Sequence, residues 1–133
     1  MNKSMNPDDW MRPKGYSNVI CATGQLIFIA GQIGWDEKEE FQTDDFVEQT
    51  GQALRNIKAC LEVAGADPQH LVRLTWFVID KHEYLSQIEQ VGRTYREVFG
   101  RCFPAMSLVQ VAGLIEPRAR VEIEATAVLP GSK

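Results

Sequence analysis

No stretch of this chain approaches the ~18 consecutive apolar residues that a membrane-spanning helix needs. The opening "MNKSMNPDDWMRPKGYSN" also has no apolar run of the kind found in a secretory leader. Cysteine is scarce: Cys21, Cys60 and Cys102 are odd in number, far apart and without a CxxC pair. They make neither a disulfide framework nor a zinc site, and the cytoplasm is the default address. There are 2 histidines, His70 and His82, neither with a partner at ligand spacing, so both read as solvated and no metal site is expected. No glycine-rich phosphate loop occurs. Positive charge is thin as well. Fourteen Lys and Arg face 18 Asp and Glu, for a net charge of −4, and the densest basic run, Arg118-Ala119-Arg120, holds two. That balance excludes a dedicated nucleic-acid surface and an anionic-membrane surface.

What the chain does have is the composition of a soluble globular protein, 44% hydrophobic and 24% charged over 133 residues. That length suits one domain, 1–133, in which 1–16 reads as an irregular arm broken by Pro7 and Pro13. "SNVICA" and "QLIFIAGQIG" flank Thr23-Gly24 and predict a β-hairpin. Trp35 to Gln42 is a charged loop. Thr43 or Asp44 can cap a helix whose apolar stripe is Val47, Thr50, Leu54, Ile57, Leu61 and Ala64, with Gly65 as its stop. "HLVRLTWFVID" is a strand. A second helix follows from about Glu83 to Phe99, with Leu85, Ile88, Gly92, Tyr95 and Phe99 on one face. "AMSLVQVAG" and "RVEIEATAVL" complete the order β-β-α-β-α-β-β. This is an α+β layer, one mixed sheet with both helices on a single face.

"LIFIA" and "TWFVI" are apolar at odd and even positions alike, so both faces of those strands call for burial. Two helices cover one face. A second copy of the chain, in a closed symmetric ring, is the economical cover for the other, and clefts between copies are natural ligand sites.

Several residues stand out as candidates for chemistry, each with a plainer explanation beside it. The last strand places Glu122 and Glu124 on one face, about 7 Å apart. If that face is partly buried each carboxylate feels the other, a setting suited to acid–base work, whereas exposed strand glutamates are the commoner case. Gly31 ends a strand, where its backbone N–H can meet a ligand or simply form a bulge. Tyr16 offers a hydroxyl and a flat wall, or else an anchor for the arm. Gly92 permits close approach of another backbone, or is a tolerated helix glycine. Cys21 and Cys60 read as buried packing rather than as nucleophiles. Met106, in "FPAMSLVQVAGL", is on strand chemistry alone ordinary filler.

"GYSN", "AGQIG", "AGAD", "FPAM" and "VEIEATAV" recur in a fixed order and spacing that resembles the Rid (reactive intermediate deaminase, RidA/YjgF-like) family from about Pro13 to Pro130. The resemblance implies a chorismate-mutase-like fold and homotrimers with three intersubunit clefts. It also implies hydrolysis of reactive enamines or imines, such as 2-aminoacrylate, to a keto acid and ammonia with no cofactor or metal. Active members hold the substrate carboxylate with an arginine directly after "FPA". Here that residue is Met106, a thioether without the guanidinium's directional charge, so 2-aminoacrylate is expected to be a poor substrate. By the same resemblance Tyr16, Gly31 and Tyr84 line the cleft and Glu122 orients the hydrolytic water. Glu124 is left as a structural residue, paired with a nearby arginine. Ala30 replaces a common serine, and the second helix is about one turn longer than usual. Two functions fit: a deaminase acting on a substrate not held by the usual arginine, or a non-catalytic small-molecule-binding or regulatory homotrimer. The endoribonuclease label that the family also carries is disfavoured by the acidic balance.

Overall fold

The structure, a computed structural model, describes residues 2–131. Its strands are β1 (Lys3–Met5), β2 (Val19–Cys21), β3 (Gln25–Ile33), β4 (Leu71–Val78), β5 (Ala105–Gln110) and β6 (Val121–Leu129). The helices are α1 (Phe46–Val63), α2 (Lys81–Leu85) and α3 (Ile88–Phe99). Four strands form a mixed sheet in the order β3-β6-β4-β5, with β4 and β5 parallel and the other pairs antiparallel. The alternation of β6 is that read from its residues: Val121, Ile123, Ala125 and Ala127 are buried against the helices. α1 lies on β3 and β6, and α3 packs beside α1, so the helices share one face of the sheet as expected. The class is α+β.

Burial of α1 follows its sequence stripe through Thr50, Leu54, Ile57 and Leu61, extended by Phe46, Gln49 and Ala53. Its cap is Asp45, whose carboxylate accepts the Glu48 N–H, one residue beyond the expected Thr43 or Asp44. Gly65, with φ at +78°, ends the helix in the left-handed region that favours glycine.

Several expectations change. The second helix is not continuous: it breaks at Ser86–Gln87 into α2 and α3. Its buried face is Val91, Tyr95 and Phe99, whereas Leu85 and Ile88 are exposed. The predicted hairpin does not form, because β2 pairs with β1 while β3 pairs with β6. The arm is therefore not wholly irregular; its first residues make a two-stranded ribbon. At the intended turn Gly24 lies against the end of β6, where an added Cβ would fall 2.8 Å from the Leu129 carbonyl carbon. The cysteines and one histidine also differ. Cys21 is exposed, Cys60 partly so, and only Cys102 is buried, where loss of solvent pushes its thiol up to about 11. His70 is not simply solvated either, since its Nδ1 accepts the Asp67 N–H and closes the short turn before β4.

On the face away from the helices Leu26 and Phe28 are 60% and 76% exposed, with no cover among the described residues. No helix is long and apolar enough to cross a membrane among those residues.

Candidate functional site

Tyr16 owes its place to its neighbour. Ser17 is buried, its N–H donates to the Pro104 carbonyl at 3.0 Å and its hydroxyl to the Phe103 carbonyl at 2.5 Å. The same Oγ meets Ser4 Oγ at 2.7 Å, so the arm, the "GYSN" turn and the "FPAM" entry into β5 are tied at one point. Two residues on from that tie is Met106, which aligns with Leu74 of β4 and so faces the helices.

Tyr84 is set from the other side. Asp80 caps α2 by accepting the His82 N–H, Gln110 Oε1 accepts the Lys81 N–H at 2.9 Å, and Arg120 Nε donates to Glu83 Oε2 at 2.9 Å. These bonds hold α2 across the ends of β5 and β6. Tyr16, Tyr84 and Met106 then line one cavity of about 320 Å³ whose walls also include Trp76, Arg96 and Leu108. A larger hollow of about 710 Å³ opens among arm residues such as Asn6, Trp10 and Arg12 and shares Tyr16. Of the candidate residues it holds that one alone, so the smaller cavity is the better-built site.

Gly31 and Glu122 meet elsewhere. Between Ile29 and Gln32 the register of β3 against β6 shifts, so that Ala30 and Gly31 together oppose Glu124, a β-bulge. An added Cβ at Gly31 would fall 2.7 Å from the Glu122 carboxyl carbon and closer still to Oε2. The absent side chain is thus the space in which the half-buried Glu122 carboxylate lies over exposed backbone. Glu122 shares its strand face with Glu124, which is exposed and has no ion pair among the described residues; the expected arginine partner is not there. Within one chain neither Gly31 nor Glu122 lines the Met106 cavity. The five candidates therefore fall into two groups on opposite faces of the sheet.

Sequence reasoning missed two supports. Ser17 carries no chemistry by itself and is legible only once its carbonyl partners are known. Gln49 lies on the buried side of α1, where its Nε2 donates to the Thr43 and Arg118 carbonyls and its Oε1 accepts the Arg120 N–H at 2.8 Å. A fully buried amide with that set of bonds fixes the chain just ahead of Glu122. Polarity inside an apolar stripe was the available signal. Gly92, in turn, admits no second backbone: an added Cβ would stand 3.2 Å from Nη1 of Arg96, one turn on.

Comparison with known proteins agrees with this architecture. The family model described as Endoribonuclease L-PSP matches residues 11–129. A RutC family protein of Pyrococcus horikoshii is 39% identical over 113 residues, which is 84% of this chain and 85% of that one. The 2-iminobutanoate/2-iminopropanoate deaminase of Salmonella typhimurium is 36% identical over 108 residues, 79% of this chain and 80% of its own length. Among solved structures, YyfB of Yersinia pestis, a Rid-family protein of unknown function, superimposes with a TM-score of 0.85 at 31% identity, covering 96% of this chain and 98% of that one. With the mixed sheet, the motif order and these matches in agreement, the chain belongs to the Rid (YjgF-like) family.

Proposed function

We propose that the protein is a cofactor-independent deaminase that hydrolyses a reactive enamine or imine to a carbonyl compound and ammonia. The observation that carries this reading is the packing of the Glu122 carboxylate into the space left by Gly31. A carboxylate poised over bare backbone can hold a water beside a substrate lying on that backbone, and take up or return its proton. Tyr16, Tyr84 and Met106 bind the rest of the substrate. Since the two groups lie on opposite faces of one sheet, the reading requires them to meet between copies of the chain, in a homotrimer. The uncovered Leu26 and Phe28 supply an apolar surface for that contact. The free, exposed Cys21 suits a reducing compartment, the cytoplasm.

Light scattering on the purified protein at micromolar concentration is expected to give three times the chain mass; a stable monomer removes the shared cleft. Ammonia release from imines generated in place by an amino acid oxidase tests the chemistry. Turnover is expected for at least one imine and little for 2-aminoacrylate, whose carboxylate finds a thioether at position 106. Met106→Arg is expected to raise activity on 2-aminoacrylate by about tenfold or more, since a charged hydrogen bond contributes ~1.5–3 kcal/mol. A rate unchanged by that substitution would show that position 106 does not face the substrate carboxylate. The second reading, a binding or regulatory trimer, is favoured by the same methionine, and applies if no imine is turned over.

A further inference from the structure

The cavity that holds Met106 is electrically one-sided. Lys14 and Arg96 stand in its wall, and no aspartate or glutamate does. The guanidinium of Arg96 lies back over Gly92, which also lines the cavity and whose missing side chain makes the room. Arg96 forms no ion pair among the described residues. Deeper in the same wall is Trp76, 3% exposed, whose indole N–H has no acceptor among the described residues. Its aromatic neighbour Tyr95, whose hydroxyl donates to the Cys102 carbonyl at 2.7 Å, does not accept from it. A buried donor left unmet is destabilising, and a bound acceptor would relieve it. Around these polar points the wall is apolar and aromatic, with Tyr16, Tyr84, Phe103, Met106 and Leu108.

We propose that Arg96 is a relocated carboxylate anchor, and that the cavity takes an aromatic 2-oxo acid or the corresponding imine. The carboxylate pairs with the Arg96 guanidinium, the oxo or imine acceptor receives the Trp76 indole N–H, and the ring rests on Met106 and Leu108. Methionine at 106 is then the floor for the ring, a polarizable surface suited to aromatic contact. A three-carbon acid would leave most of the ~320 Å³ empty and forgo that contact. This rests on reading the cavity as the substrate-holding side of the proposed cleft.

The test uses the native oligomer with phenylpyruvate and pyruvate as probes, followed by calorimetry and by the indole N–H resonances of ¹⁵N-labelled protein. Phenylpyruvate is expected to bind at least about tenfold tighter than pyruvate and to move the Trp76 indole signal, assigned by its loss in Trp76→Phe. Arg96→Gln is expected to weaken phenylpyruvate by about ten- to a hundredfold, the scale of a lost charged hydrogen bond, and Arg96→Lys by less. Arg96 is exposed, so both variants should melt as the parent does. Equal affinity for the two acids, an unmoved Trp76 signal at saturation, or an indifferent Arg96→Gln would each overturn the inference. Failure of phenylpyruvate to bind a protein that does hydrolyse imines overturns it while leaving the deaminase standing. The expected binding pattern without turnover of any imine upholds Arg96 as anchor and removes the deaminase.

Discussion

Glu122→Gln is expected to lower imine hydrolysis by at least about a hundredfold, with the assembly and the melting temperature unchanged. Positioned proton transfer contributes roughly 10²–10⁴-fold to such reactions, and the amide cannot accept the proton that water must give up. The change is nearly isosteric, so the packing over Gly31 survives it. Glu124→Gln supplies the contrast. That carboxylate is exposed and unpaired among the described residues, and its loss should alter stability by no more than about 0.5 kcal/mol and leave turnover in place. Two equal and minor effects would take Glu122 out of the chemistry and favour the binding trimer.

Gly31→Ala should produce a loss of similar kind by a different route. The new methyl would fall 2.7 Å from the Glu122 carboxyl carbon and 2.9 Å from Cγ, nearer than real side-chain contacts come. Gly31 is not at positive φ, so alanine fits the backbone and the carboxylate is what must turn aside. A displacement of about 1 Å in a catalytic group can cost on the order of a hundredfold in rate. The expected loss is therefore about tenfold to a hundredfold in kcat with the oligomer intact. Because both substitutions act on one carboxylate, Gly31→Ala with Glu122→Gln should be no slower than Glu122→Gln alone. Full activity in Gly31→Ala would mean that this contact does not position the acid.

Periodic burial was the part of the fold that residue spacing could express. β6, β4 and the inner stripe of α1 were legible because their faces meet one core, and the side-chain alternation records it. The pairing of β2 was not. Val19–Cys21 is a short, exposed strand, so its residues carry no buried face to fix a partner, and the Thr23-Gly24 turn signal describes only the local bend. The nearby arm, which takes up β2, and β6, far away in sequence, which takes up β3, decide the outcome. The break at Ser86–Gln87 was hidden because Leu85 and Ile88 continue a helical spacing although both face solvent. Of the site, Glu122, Gly31, Tyr16, Tyr84 and Met106 were nameable from motif resemblance. Their division between two faces of the sheet was not, since it depends on strand order. Arg96 and Trp76 sit inside ordinary helix and strand patterns, and only the cavity between them gives them a shared meaning.

The ribbon of β1 and β2 has a consequence in time as well as in space. Its own pairing is local, but the Asn2 side chain donates to the Gln69 and Leu71 carbonyls, 67 and 69 residues further along. At about 5–20 residues per second, a ribosome takes several seconds to deliver that second half of the contact. Until then Asn2 has no carbonyl to donate to, and the ribbon, although β1 can already pair with β2, is not yet docked on the rest of the fold. The ribbon can thus pair early and dock late, and the arm that presents Tyr16 takes its final position only when Phe103 and Pro104, to which Ser17 is tied, already exist.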